Sequence, residues 1–225
     1  MLRGDFDGDT YSDLAIFNPP DGKWYIFSLH RNKTLAWGYA WGWSDTTPVV
    51  GDFDGDHADD LGVYDRVSGE WFIRSLALEK TLAWRFAWSA ANARPFAGDF
   101  NRDGVDDICV YDSGAGLWYI KTISGTVLHN AYSWGWSAAT PMVGDFDGDR
   151  ADDIAVYDSA AQRWFIRSVR RNTTLAWNYP WGATGSHVRE RVKASGYAFA
   201  VTTREGMVRR GSDPWRSRGR AIAAA

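Results

Sequence analysis

Aspartates at alternate positions of a tight loop are the residues in this 225-residue chain most able to do chemistry. Numbered from the first acid of each loop, positions 1, 3, 5 and 9 are Asp5, Asp7, Asp9 and Asp13 in the first copy and Asp52, Asp54, Asp56 and Asp60 in the second. The third has Asp99, Asn101, Asp103 and Asp107, and the fourth has Asp145, Asp147, Asp149 and Asp153. Alternate side chains can turn their oxygens toward one point, where the backbone carbonyl of position 7 (Tyr11, Ala58, Val105 or Ala151) can join them. An all-oxygen set with several carboxylates suits a hard cation, and six to eight flexible ligands suit Ca²⁺ better than Mg²⁺. Up to four bound Ca²⁺ ions are therefore expected. Without a cation each loop crowds like charges together, at a cost. One such loop could equally be a solvated Asx turn, but four in register are a strong signal.

The loop is not an EF-hand, which needs a bidentate Glu at position 12 and flanking helices. Position 12 is Ile16, Val63, Val110 or Val156, each inside a predicted strand. The aspartates at position 8, Asp59, Asp106 and Asp152, are expected to point outward, into solvent or onto a turn. No nucleophile–base set or phosphate loop stands apart from these repeats, so a non-catalytic protein is expected. His30, His57, His129 and His187 share no phase, and Cys109 falls where the other copies have Ala15, Gly62 and Ala155, as a small residue in a packed strand.

The elements that must position the loops recur with them. Gly4, Gly51, Gly98 and Gly144 open successive loops, so the repeat is 46 or 47 residues long. Trp24, Trp71, Trp118 and Trp164 keep the same phase, as do Trp41, Trp88, Trp134 and Trp181. Short runs rich in β-branched and aromatic residues, separated by Gly, Pro, Asp and Asn, read as about four strands per copy. Ser75 to Leu82 contains good helix formers, but its counterparts hold turn residues, so a hairpin is expected there. A period of this length with four strands points to a β-propeller, or part of one, made of four-stranded blades. The expected blades are 1–48, 49–95, 96–141 and 142–185, the first without the strand that Pro48-Val49-Val50 supplies to the second. Residues 186–225 form an irregular basic tail, expected to be disordered.

Charge divides the same way. Residues 1–186 hold 16 Lys+Arg against 25 Asp+Glu, while 187–225 hold 9 against 3. The acidic body argues against nucleic acid as its partner. No run of 18 uncharged apolar residues offers a membrane span, and one cysteine excludes a disulfide framework.

The sequence Gly-Asp-Phe-Asp-Gly-Asp, followed by two further aspartates and a short strand, resembles the FG-GAP (VCBS-type) repeat of integrin α-subunit propellers and many bacterial surface proteins. The resemblance covers roughly residues 2–185. It implies Ca²⁺ at positions 1, 3, 5, 7 and 9, a propeller usually of seven blades, and an extracellular or cell-surface setting. The chain departs from that pattern at position 6, often Gly, which is Thr10, His57, Gly104 and Arg150. Four copies also fall short of seven. The expected function is a non-catalytic Ca²⁺-binding module for extracellular binding or adhesion, with a protein or glycan ligand on an exposed face. Self-association is expected if the ring is incomplete. The alternative is carbohydrate recognition, alone or as an accessory module of a polysaccharide-acting enzyme, through Trp41-Gly42-Trp43 and Trp134-Gly135-Trp136 near a predicted turn.

Overall fold

The computed structural model describes residues 2–181. The expected basic tail, and the last residues of the fourth expected blade, lie outside the described residues. Sixteen strands form four sheets, and no helix occurs among the described residues. The first sheet contains β1 (Leu2–Gly4), β2 (Asp13–Asn18), β3 (Lys23–Ser28) and β4 (Lys33–Ala40). The second contains β5 (Thr46–Gly51), β6 (Asp60–Asp65), β7 (Glu70–Ser75) and β8 (Lys80–Ala87). The third contains β9 (Ala93–Gly98), β10 (Asp107–Asp112), β11 (Leu117–Lys121) and β12 (Val127–Ser133). The fourth contains β13 (Thr140–Gly144), β14 (Asp153–Asp158), β15 (Arg163–Ser168) and β16 (Thr173–Pro180). Each is an antiparallel meander in chain order.

Two expectations about the strands need correction. The first sheet does have a strand before its loop, because Leu2–Gly4 pairs with Asp13–Ala15. The second, third and fourth sheets begin at Thr46, Ala93 and Thr140, so the prolines taken as boundaries lie inside strands. Pro48, Pro95 and Pro141 face Val63, Val110 and Val156 in strands at a sheet edge, where a missing N–H breaks no ladder. The four sheets do not close a ring, as in the partial array that the sequence left open: on the first sheet Leu14 and Ile16 remain about half exposed. The segment from Ser75 is a hairpin turn, as expected.

Successive sheets pack face to face. Phe6, Ala15, Phe17, Trp24 and Ile26 of the first sheet form one cluster with Leu61, Val63 and Phe72 of the second, and the two following junctions repeat this arrangement. Central strands β6 and β10 are consequently buried on both faces, whereas β2, with only one neighbouring sheet, alternates buried and exposed. Trp24, Trp71 and Trp118 are wholly buried, and Cys109 is buried in one cluster with Trp118 of its own sheet and Ile154 and Val156 of the next.

Polar links fix the spacing between sheets. The N–H of Asp59 donates to the Asp5 carbonyl at 2.6 Å, while the N–H of Asp5 donates back to the Asp59 carboxylate at 2.6 Å. Asp106 makes the same reciprocal pair with Asp52, and Asp152 with Asp99. The position-8 aspartates therefore do not point outward. Each reaches back to the start of the preceding loop, because the neighbouring sheet presents a backbone N–H there that would otherwise lie unpaired. A second set of links comes from the tryptophans: the indoles of Trp41, Trp88 and Trp134 donate to the carbonyls of Phe72, Tyr119 and Phe165 in the next sheet.

The latch explains the glycine that opens each loop. A Cβ on Gly4, Gly51 or Gly98 would lie 2.5–2.7 Å from the carboxylate oxygen of Asp59, Asp106 or Asp152. At Gly144 the nearest atom would be 3.8 Å away. Gly51→Ala and Asp106→Ala should each lower unfolding free energy by about 2 kcal/mol or more, through displaced packing or an unpaired buried N–H. Gly144→Ala should leave stability within about 0.5 kcal/mol. Urea unfolding of dilute protein measures all three; equal losses at Gly51 and Gly144 would remove the latch as the cause.

Candidate functional site

Each acidic loop is held by its own carboxylates before any ligand is considered. The position-1 side chain accepts backbone N–H groups from across the loop: Asp9 and Thr10 donate to Asp5, and Gly55 and His57 donate to Asp52. Asp99 and Asp145 do the same in the third and fourth loops. The turn places position 6 in the left-handed region, with φ of 71° at Thr10, 71° at His57, 70° at Arg150 and 86° at Gly104. Three of these are side chains that glycine would replace with less strain.

Positions 1, 3 and 9 converge. Asp5, Asp7 and Asp13 can bring one oxygen each within 4.8 Å of the others, as can Asp52, Asp54 and Asp60, and Asp145, Asp147 and Asp153. In the third loop Asn101 interrupts the acidic set, and its amide bonds to Asp103 instead. Position 5 stands apart: one oxygen of Asp9, Asp56, Asp103 and Asp149 accepts the N–H of position 7, which is Tyr11, Ala58, Val105 and Ala151.

Position 9 is the most constrained acid. Asp13, Asp60, Asp107 and Asp153 are almost completely buried, and one oxygen of each accepts the N–H of Phe6, Phe53, Phe100 or Phe146. The other oxygen has no hydrogen-bond partner in Asp13, Asp60 and Asp153, and the same holds for Asp54 Oδ2 and Asp7 Oδ1. Unpaired buried carboxylate oxygens aimed at a common point are what a divalent cation satisfies. Burial, reinforced by neighbouring carboxylates, pushes Asp60 and Asp107 up to about 7 and Asp153 up to about 6, and raises Asp13 and Asp54.

The loops differ in what faces them. In the first, His30 and Arg31 of the β3–β4 turn contact Asp9, and Arg31 lies 3.4 Å from Asp7. In the fourth, Arg170 and Arg171 hold Asp149, and Arg171 holds Asp147. These partners keep Asp9 and Asp149 below the usual carboxylate range although desolvation acts the other way. The corresponding turns of the second and third sheets carry Ala77-Leu78 and Ser124-Gly125, which bring no charge.

A second candidate site lies along the outermost strands. In β4, β8 and β16 the sequence Thr-Leu-Ala-Trp ends in an exposed ring: Trp37 is 82%, Trp84 65% and Trp177 70% exposed. Each precedes a residue with positive φ (Gly38, Arg85, Asn178) at a register shift between third and fourth strands. Trp84 and Arg85 together oppose the single residue Phe72, and this bulge turns the tryptophan toward the preceding sheet. Trp84 then packs edge-on against Phe72 at 5.0 Å and lies 5.9 Å from Trp41. Trp177 repeats this with Phe165 at 5.1 Å and Trp134 at 5.7 Å.

The Trp-Gly-Trp motifs are mainly packing. Trp41 and Trp134 donate across the junctions, and Trp43 and Trp136 stand edge-on to Phe72 and Phe165 at 4.9 and 5.1 Å. The exposed platforms are Trp84 and Trp177, which were not singled out from sequence although their Thr-Leu-Ala-Trp phase was visible. Beside each lies a cation and a tyrosine: Arg74 donates to the Tyr39 hydroxyl, and Arg167 to Tyr132 at 2.8 Å. At the first junction these groups border a groove of about 590 Å³, lined by Asp7, Lys33, Tyr39, Arg74 and Glu79 among others. The middle junction lacks the platform, with Ala90 and Asn130 in place of the tryptophans and Lys121 over Phe86 and Trp88.

No protein-family model and no curated protein matches the chain. Among solved structures it is similar to an Agrocybe aegerita lectin described as specifically recognising non-reducing terminal N-acetylglucosamine, with a TM-score of 0.53 and 16% identity over 77% of this chain and 50% of that one. It also aligns with the V. cholerae biofilm matrix protein Bap1, with a TM-score of 0.35 and 19% identity over 79% of this chain and 30% of that one. The chain thus spans half or less of each. The lectin likeness bears on fold: an all-β chain of repeated antiparallel sheets.

The position-9 acids give the metal-free protein a defined pH response. Asp60, Asp107 and Asp153 keep their protons to higher pH when folded than in the unfolded chain, where Asp titrates near 4. Between about 4 and about 7 the native state binds more protons, so stability falls as pH rises. The depressed acids Asp9, Asp65, Asp112 and Asp149 act only below that window, and half-buried His129 opposes the trend as one group against three. Melts followed by circular dichroism in chelator should therefore show a higher Tm at pH 5 than at pH 7.5. The reverse slope would mean that these acids are already ionised in the metal-free fold.

Proposed function

We propose that the chain is a non-catalytic carbohydrate-binding module that works outside the cell, built as part of a β-propeller whose blades are stiffened by Ca²⁺. The observation that carries this reading is the pair of exposed tryptophans, Trp84 and Trp177, each held at a sheet junction beside an arginine–tyrosine pair. Such rings offer a flat apolar face for the C–H side of a pyranose. At the first junction the groove lined by Arg74, Lys33 and Glu79 would supply donors and acceptors for its hydroxyls. The rings are pinned by neighbouring aromatics, so little rotamer entropy remains to be lost on binding.

Calcium fits the loops on their own chemistry. Asp52, Asp54 and Asp60 would hold it in the second loop, where Asp54 Oδ2 and Asp60 Oδ1 lack hydrogen-bond partners, and the first and fourth loops would do so with Asp5, Asp7, Asp13 and Asp145, Asp147, Asp153. The ion would neutralise the clustered charge and fix the turn that carries the inter-sheet latch. In the first and fourth loops it would compete with Arg31 and Arg171, so the second loop would fill first.

Binding of chitooligosaccharide, chosen because the similar lectin recognises terminal N-acetylglucosamine, tests the glycan reading together with a glycan array. Trp84→Ala and Trp177→Ala should each weaken binding about tenfold, roughly 1.4 kcal/mol, with the melt unchanged. A silent array for the parent protein would overturn it in favour of a protein ligand. Separately, millimolar Ca²⁺ should raise the Tm of the chelated protein. Asp54→Asn should abolish the tightest site in a calorimetric titration, and an unchanged stoichiometry would remove the second loop as the leading site.

A further inference from the structure

Every junction between sheets mates two different faces, and among the described residues one of each kind is left uncovered. The face that receives a preceding sheet carries Leu61 and Val63 in the second sheet, Ile108 and Val110 in the third, and Ile154 and Val156 in the fourth, all fully buried. Their counterparts in the first sheet are Leu14 and Ile16, which are 46% and 51% exposed. Tyr25, Phe27 and Trp37 extend this surface: Ile16 pairs with Tyr25, Leu14 with Phe27, and Trp37 stands edge-on to Tyr25. A continuous apolar face of this kind is unusual on a solitary protein and marks an interaction surface.

The opposite face is uncovered on the fourth sheet. Phe53, Tyr64 and Trp71, like Phe100, Tyr111 and Trp118, are buried by the sheet that follows. Phe146, Tyr157 and Trp164 at the same positions are only partly buried. Gly144 keeps the open space that Asp59, Asp106 and Asp152 fill at Gly4, Gly51 and Gly98. The two free faces are thus the two halves of the junction that the molecule already makes three times.

We propose that copies of this chain associate head to tail, with the fourth sheet of one copy seated on the first sheet of the next. The occupant of the apolar face is a second copy because this chain itself carries the complementary half. In the register of the internal junctions, the Trp181 indole of one copy would donate to the Tyr25 carbonyl of the other, as Trp41, Trp88 and Trp134 do to Phe72, Tyr119 and Phe165. The latch would be weaker than inside the chain. Position 8 of the first sheet is Ser12, which supplies a backbone N–H and a hydroxyl in place of a carboxylate. That difference favours a reversible contact over a permanent one. The contact is heterologous, so it either closes into a ring or propagates. The inference is independent of the glycan reading.

Two variants each close one face without touching the packed core: Ile16→Asp charges the first sheet, and Gly144→Leu fills the space that the latch needs. Sedimentation velocity of the whole chain in Ca²⁺, from about 1 to about 100 µM, covers weak to moderate affinities. The parent protein should associate with rising concentration. Each variant alone should stay monomeric with an unchanged circular dichroism spectrum and Tm. An equimolar mixture of the two should form a dimer and nothing larger, because one intact pair of faces remains. A parent protein that is monomeric throughout, a variant that still associates, or a mixture that stays monomeric would each overturn the proposal.

Discussion

A backbone N–H and a backbone carbonyl at the start of each acidic loop must find partners where two sheets meet, and an aspartate of the next sheet supplies both. Much of the sequence follows from this latch. The opening glycine is required because the partner carboxylate occupies the place of a Cβ. The adjacent acids at positions 8 and 9 divide the work: Asp59, Asp106 and Asp152 reach to the neighbouring sheet, while Asp60, Asp107 and Asp153 turn inward to their own loop. The tryptophan bonds act farther out along the same junctions, so each pair of sheets is held both at the loops and toward the rim.

The same concentration of carboxylates creates an electrostatic difficulty that the loops meet in different ways. The first and fourth loops recruit Arg31 or Arg171 from the neighbouring turn. The second has no such cation among the described residues, and its Asp54 and Asp60, like Asp7, Asp13 and Asp153 of the other two loops, have buried oxygens without hydrogen-bond partners. A carboxylate in that position is either protonated or neutralised from outside. The repeat therefore produces sites with one geometry but unequal demand for a metal ion.

The junctions also diverge at the rim. The first and third carry a cluster of three tryptophans around a phenylalanine, with Arg74 or Arg167 alongside, whereas the middle one substitutes Ala90, Asn130 and Lys121. Repetition supplies the scaffold, and departures from it decide where a flat aromatic surface meets solvent. The bulge after Trp84 and Trp177 makes this possible, since an unbroken strand would not oppose two residues to Phe72 or Phe165.

The sequence by itself determined the repeat, the four-stranded units, the loop acids and the recurring phase of Trp24, Trp71, Trp118 and Trp164. These depend on local turn chemistry and on a phase that recurs every 46 or 47 residues. Convergence is expected of positions 1, 3, 5 and 9 with the position-7 carbonyl, and positions 1, 3 and 9 do converge in three loops while position 5 turns to the N–H of position 7. Only the tertiary structure decided which acids bridge sheets, which tryptophans stay exposed, and that four sheets leave two faces open. Asp59 and Asp60 are neighbours in sequence, and Trp43 and Trp84 are equally aromatic. Their roles differ because an adjacent sheet presents an N–H to one aspartate and not the other, and leaves Trp43 37% but Trp84 65% exposed. Contacts between residues some 30 to 54 positions apart set those outcomes, and no local pattern encodes them.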